Sequence, residues 1–372
     1  MAHGLRALLL ASTVGFTASP ILGHHSFTAT YDTERRVSLE GVVTRVDWVN
    51  PHAYVFVNVV DDQGTTMNWA LEFGNIFDLE RDGWSEDTVA IGDRVAVEAY
   101  PARGTSRRAF ATAVIRSDTG RRVFAAAGST DGAASNRPAP RWPDGQVRLG
   151  PLPGEKGHWG PASVAGLFED AGTEIPMNGD AILGNLADVG RVAPFQPWAR
   201  ALYERRQRRL LVDDPMTRCV PPGGPRQFHT AYGFQFVEQR ELGRILVLLG
   251  GGNRNWRVIH TDRRPVGQRE EVVRTYYGTS VGRWEADTLV VESVGYNERF
   301  WFTRGGLPHT EQLRLTERFT RPDFDTLRYE VTVDDPGAYT RPWTGSWTIR
   351  WLPGEDIQEY FCEENAESTF LR

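Results

Sequence analysis

The run Arg314-Leu315-Thr316-Glu317-Arg318-Phe319-Thr320 puts Leu315 and Phe319, with Leu313 before them, on one face, and Arg314, Thr316, Arg318 and Thr320 on the other. A turn-forming stretch follows, Arg321-Pro322-Asp323-Phe324-Asp325. Leu327, Tyr329, Val331 and Val333 then alternate with Arg328, Glu330, Thr332 and Asp334. Trp347, Ile349 and Trp351 repeat the pattern against Ser346, Thr348 and Arg350. A period of two with one wet face marks half-buried antiparallel strands. Strands joined in sequence by tight turns form a meander, and a long meander tends to close and so remove its edges. The stretch from Tyr276 to Cys362 therefore predicts a barrel or a strongly curled sheet.

Further strands are expected upstream. Phe234 to Gln239 and Arg244 to Leu249 flank a turn at Glu241-Leu242-Gly243, Asn255 to Thr261 follows, and Gly278 to Glu285 and Thr288 to Ser293 flank Ala286-Asp287. Pro197 to Leu211 reads as a helix, since Pro197 suits a first turn and Trp198, Leu202 and Leu210 lie near one stripe. Residues 125–160, rich in Ala, Gly and Pro, read as a flexible linker. The expected division is a signal peptide over 1–23, a β domain over 24–124, the linker, and a barrel domain over 161–372.

The first domain carries five short strands, with a helix-like insert after the third. Val37 to Val46 alternates, Ala53 to Val60 is β-branched and aromatic, Asp61-Asp62-Gln63-Gly64 turns, and Thr65 to Phe73 returns. Phe77 to Arg81 is the insert, and Arg94 to Tyr100 and Arg108 to Arg116 complete the set. That order suits an OB-like small barrel. The fold class expected is thus mainly β, an OB-like barrel followed by an antiparallel meander barrel with a short helical lead-in.

Several motifs carry resemblances. His24-His25-Ser26-Phe27, Glu40-Gly41-Val42-Val43, Trp48-Val49-Asn50-Pro51-His52 and Gly92-Asp93-Arg94-Val95 resemble an uncharacterised family of exported bacterial proteins over about residues 24–125. Gly282-Arg283-Trp284-Glu285, before a tight turn and an apolar strand, resembles a motif of calycin-like, lipocalin-related barrels. The stretch from Asp213 to Asn365 is also similar to uncharacterised exported bacterial proteins. None of these resemblances implies a settled activity.

The 372 residues suffice for two cores, and 40% hydrophobic with 24% charged residues is a globular composition. With 42 basic and 48 acidic residues interspersed, the net charge of −6 argues against a nucleic-acid protein. Arg6 precedes an apolar run from Ala7 to Phe16, and Ala18-Ser19-Pro20-Ile21-Leu22-Gly23 ends it, as in a secretory signal peptide. The run is too short to span a bilayer, and no later run replaces it. Export to a periplasmic or extracellular compartment makes Cys219 and Cys362, the two cysteines present, an expected disulfide.

Three sets of residues are candidates for chemistry. Cleavage after Gly23 would make His24 the first residue, and its α-amine and imidazole, with His25 or His52, would form a planar nitrogen site suited to Cu(II). In the second domain Glu317 shares a face with Leu315 and Phe319, Glu359 with Ile357 and Phe361, and His260 with Trp256 and Val258. Together with His309 before its strand, these are the candidate acid and base groups, since burial raises a carboxylic acid's pKa. Trp284, Trp301, Tyr339 and Trp343 are the candidate ligand-binding aromatics. No Gly-x-Ser-x-Gly, phosphate-loop or His-Glu-x-x-His motif occurs. The leading expectation is binding of a small apolar or aromatic ligand in the second barrel, with a candidate copper site on the first. The rivals are an acid/base enzyme and an envelope interaction module that holds no small ligand.

Overall fold

The structure, a computed structural model, describes residues 30–32, 34–49, 52–61, 63–74, 76–81, 83–104, 106–125, 137–162, 175–177, 181–230, 233–251, 256–267, 273–357 and 362. It is mainly β, and the described residues form two large hydrophobic cores and one small cluster of Tyr54, Phe56 and Ala70. Among the described residues no helix is long and apolar enough to cross a membrane.

The first core lies inside a small barrel of β1 (Val37–Asp47), β2 (Tyr54–Val60), β3 (Thr66–Glu72), β4 (Arg94–Pro101) and β5 (Arg108–Arg116), with β6 (Arg122–Ala125) added to β5. Helix α1 (Ile76–Arg81) follows β3, where the sequence pattern expected it. β1 pairs with both β2 and β4, and its register shifts between Val43 and Arg45. Gly41 lies where β1 crosses β2 closely, because a Cβ there would stand 2.2 Å from the carbonyl oxygen of Asn58. A closed ring with an odd number of strands cannot alternate direction all the way round. Here β3 and β5 meet as the parallel pair.

The same rule shapes the second barrel. It closes in the order β10 (Trp256–His260), β11 (Thr279–Glu285), β12 (Thr288–Val294), β13 (Arg314–Thr320), β14 (Thr326–Asp334), β15 (Trp343–Pro353), β7 (Gly157–Trp159), β8 (Phe234–Gln239) and β9 (Arg244–Leu249). The strands β11 to β15 are the expected antiparallel meander, with Phe319 opposite Tyr329 and Tyr329 opposite Trp347. The nine-stranded ring again leaves one parallel pair, β10 with β11. A parallel pair needs a crossover instead of a hairpin, and the described start of that connection, residues 261–267, follows directly on β10.

Side chains fill the interior. Phe228, from the tight helical segment Gly224–His229, sets its ring 4.6 Å from Phe234, 4.9 Å from Tyr329 and 5.6 Å from Phe319. Helix α2 (Pro197–Arg208) has Pro197 at its start, as expected, and buries Ala199, Tyr203 and Gln207. Gln207 fastens it: Nε2 donates to the carbonyls of Ala181 and Gly305, and Oε1 accepts from the Leu183 N–H.

The expected linker requires correction over its second half. Residues 137–160 belong to the second barrel: Val147, Leu149 and Trp159 are buried, and β7 pairs with both β15 and β8. The Trp159 indole donates to the Leu149 carbonyl, its ring meets Trp351 edge-on at 4.9 Å, and the Arg321 guanidinium lies 4.7 Å above it. The stretch lacks periodicity because it docks through single anchors, and composition alone therefore reads as a linker. Cys219 and Cys362 are joined as a disulfide with Cα atoms 5.6 Å apart, which ties residue 362 to the turn before the Phe228 segment.

Candidate functional site

Alternation assigned Glu317 inward, and it is fully buried at the centre of β13. Its carboxylate meets Arg257, which reaches in from β10 and is bound through two nitrogens, Nη1 at 3.0 Å and Nη2. Tyr329 donates to the same carboxylate at 2.9 Å, and Ser293 lies 3.3 Å from it. Arg257 also donates to Ser280 and Ser293, at 2.9 and 2.7 Å. Burial is the largest influence on the Arg257 pKa and would lower it, but the charge and hydrogen bonds of Glu317, with Tyr296 and Tyr329, together outweigh it, so the guanidinium is held charged more firmly than usual. A buried charge pair whose two carboxylate oxygens both accept from one guanidinium, with Tyr329 and Ser293 bonded to the same carboxylate, has the make-up of a structural strut.

The other candidate acid and base groups do not join Glu317. Arg257 and Ile259 occupy the inward positions of β10, so His260 faces out with Val258 and the exposed Trp256. This corrects the expectation that the Trp256, Val258 and His260 face was the core. His309 is buried under Phe300, ring centroids 4.4 Å apart, and its Nε2 donates to the Asn297 carbonyl at 2.9 Å. Burial drives its pKa down to about 4, against the opposing pull of that carbonyl. Glu359 lies outside the described residues, as do His24 and His25.

Three of the four candidate aromatics form a cap. Trp301, Tyr339 and Trp343 are buried. The Tyr339 hydroxyl donates to the Pro308 carbonyl at 2.8 Å, and its ring packs against Phe195 and Trp343. Phe195 stacks in turn on Tyr203 of α2. Trp301 lies beneath the Arg206 guanidinium at 4.4 Å, a group whose pKa burial lowers to about 10. The helix covers these rings, which pack as a closed cap.

Trp284 differs. It is half-buried, packs partly against the barrel core, and lines a groove of about 610 Å³ on the barrel wall. The crossover forms one side, with Arg263, Arg264, Pro265 and Val266, and β11 forms the other, with Val281, Gly282, Arg283 and Trp284. The Gly282-Arg283-Trp284 motif singled out in the sequence is thus a groove wall. Arg264 pairs with Asp262, and Arg283 with Glu285 and Glu292. His260, one strand position from the crossover, has its pKa lowered by partial burial and by Arg264.

In the first barrel His52 sits before β2 with Nδ1 3.2 Å from the Phe73 carbonyl and 3.6 Å from the Glu72 carboxylate. Glu72 is buried and accepts from Tyr31 at 2.5 Å, from Tyr54 at 2.8 Å and from Arg108. Burial, reinforced by Glu72, raises the Tyr31 pKa well above its ordinary value. Among the described residues no group of three or more His, Cys, Asp and Glu side chains is placed to hold a metal ion.

Residues 13–111 match a family of unknown function, DUF6152. The match covers the first barrel's His52 and Glu72 and ends within β5. No curated protein and no solved structure matches the chain. The second barrel's groove therefore rests on its own geometry.

Sequence reasoning missed Arg257, Glu72 and Arg263. A signal existed for the first: Arg257 shares inward parity with Ile259, and an inward Glu317 requires a cation. Glu72 had a weaker one, at the end of a strand whose last residues are all buried.

Proposed function

We propose that this is an exported binding protein whose second barrel takes a small apolar or aromatic ligand in the groove between the 261–266 crossover and β11. The observation that carries this reading is the groove itself. Its volume of about 610 Å³ falls in the range of small-molecule sites, and Val266, Val281, Pro265 and Trp284 give it apolar walls. The barrel interior offers less support, because Phe228 and its neighbours occupy it and Glu317 is engaged by Arg257. That engagement also weighs against the acid/base reading. Export is supported by the leader-like sequence before His24 and by the disulfide.

The test fills the groove. Val266→Trp should abolish saturable binding of N-phenyl-1-naphthylamine, a neutral aromatic fluorophore, and leave the thermal midpoint within a few degrees. Unchanged binding in the variant would defeat the proposal.

A second reading, copper on the first module, is favoured by one observation. His52 presents Nδ1 to a carbonyl and a buried carboxylate, the arrangement that orients ligating histidines and fixes the lone pair on the other ring nitrogen. Cu(II) titration of a chain starting at His24, followed by electron paramagnetic resonance, should show a nitrogen-rich site weakened by His52→Ala. One extra N-terminal residue should weaken it equally. Equal binding by the extended chain would remove the α-amine from the ligand set.

A further inference from the structure

Among the described residues, the charges around the groove are unevenly matched. Each acidic side chain described there already faces an arginine: Asp262 pairs with Arg264, and Glu292 with both Arg283 and Arg314. Glu285, next along β11, pairs with Arg283 and Arg318. Arg263 lines the same groove, is exposed, and has no acidic partner among the described residues. A lone surface arginine is ordinary. This one is also held at φ 65°, in the left-handed region. An L-residue adopts that conformation at a cost that glycine would not incur. Strain of this kind persists where the backbone is fixed by its surroundings and the side chain is wanted in place.

We infer that the ligand of this groove is an amphiphilic anion, and that Arg263 receives its charge. The fit is an aromatic or branched apolar body carrying one carboxylate, sulfonate or phosphate. Val266, Val281, Pro265 and Trp284 cover the body, and the guanidinium presents a planar fork that binds such oxyanions through two hydrogen bonds. Arg264 and Arg283 are already committed to carboxylates, so Arg263 is the group whose pairing changes on binding. The inference rests on the groove reading above and specifies its chemistry.

Two probes with the same apolar body separate the two claims. The sulfonate 8-anilinonaphthalene-1-sulfonate and the neutral N-phenyl-1-naphthylamine are titrated into the full chain by fluorescence. The sulfonate should bind at least tenfold more tightly and weaken as salt is raised. Arg263→Gln and Arg263→Gly should each reduce sulfonate affinity about tenfold and leave the neutral probe within twofold. Arg263→Gly should melt at or above the wild-type temperature, because it relieves the left-handed strain; this shows that the lost affinity is not lost folding. Equal affinity for the two probes, or full sulfonate affinity in both Arg263 variants, would overturn the inference while Val266→Trp still blocked the groove. If Val266→Trp left both probes bound, the groove reading would fall and this inference with it.

Discussion

Glu317→Gln tests whether the polar centre of the second barrel is a strut or a reactive acid. The amide keeps the shape and one acceptor oxygen, which can still serve Tyr329 or one arm of Arg257. It removes the charge facing a guanidinium that is almost completely buried, and turns an N–H₂ toward Arg257 Nη2 and Ser293. Removing one partner from a buried pair costs about 3–5 kcal/mol, because the other charge is left uncompensated. For a domain of this size that is roughly 6–20 °C in melting temperature. Urea unfolding followed by tryptophan fluorescence measures it. The double variant Arg257→Met, Glu317→Leu should recover most of the loss, giving a coupling of about 2 kcal/mol or more. Two results would refute the strut: a Glu317→Gln chain within about 1 kcal/mol of wild type, or one of unchanged stability that no longer binds ligand.

Further expectations are independent of that pair. His309 has its folded pKa near 4, below the ordinary value of about 6.5, so the unfolded chain binds the extra proton first. The stability it contributes is present above pH 6.5 and lost as pH falls toward 4, by up to about 3 kcal/mol; His309→Gln, which keeps a donor for the Asn297 carbonyl, should flatten the slope of stability between pH 5 and 6.5. Replacing both Cys219 and Cys362 with alanine should cost about 2–4 kcal/mol, read by denaturant titration; a change below about 0.5 kcal/mol would show that the bridge constrains little. A chain of residues 131–372 should fold and unfold cooperatively, whereas 161–372, which lacks β7, Val147, Leu149 and Trp159, should not. Cooperative melting of the shorter chain would remove residues 137–160 from the barrel.

Much of this fold was legible because strands with one wet face write their period into the sequence. The meander from β11 to β15, the inward side of Glu317 and the OB-like order of the first barrel all followed from alternation and turns. Alternation does not say which face is the core. On β10 the apolar Trp256 and Val258 suggested the wrong side, and the core took Arg257 because Glu317 was there to neutralise it. Residues 137–160 were illegible for a different reason. They are held by separate anchors, such as Arg141 on Asp287, Trp142 on Glu238 and Arg321 on the Arg148 carbonyl, and none leaves a local pattern. The groove was half visible: Trp284 was singled out, but the crossover opposite it follows from closing an odd-numbered ring.

The most direct measurement is a crystal structure of the full chain with 8-anilinonaphthalene-1-sulfonate bound. The rings should lie between Val266 and Trp284, with the sulfonate about 3 Å from the Arg263 guanidinium. A probe lodged inside the barrel beside Phe228, or on the exposed Trp256 face, with only solvent in the groove, would contradict the account.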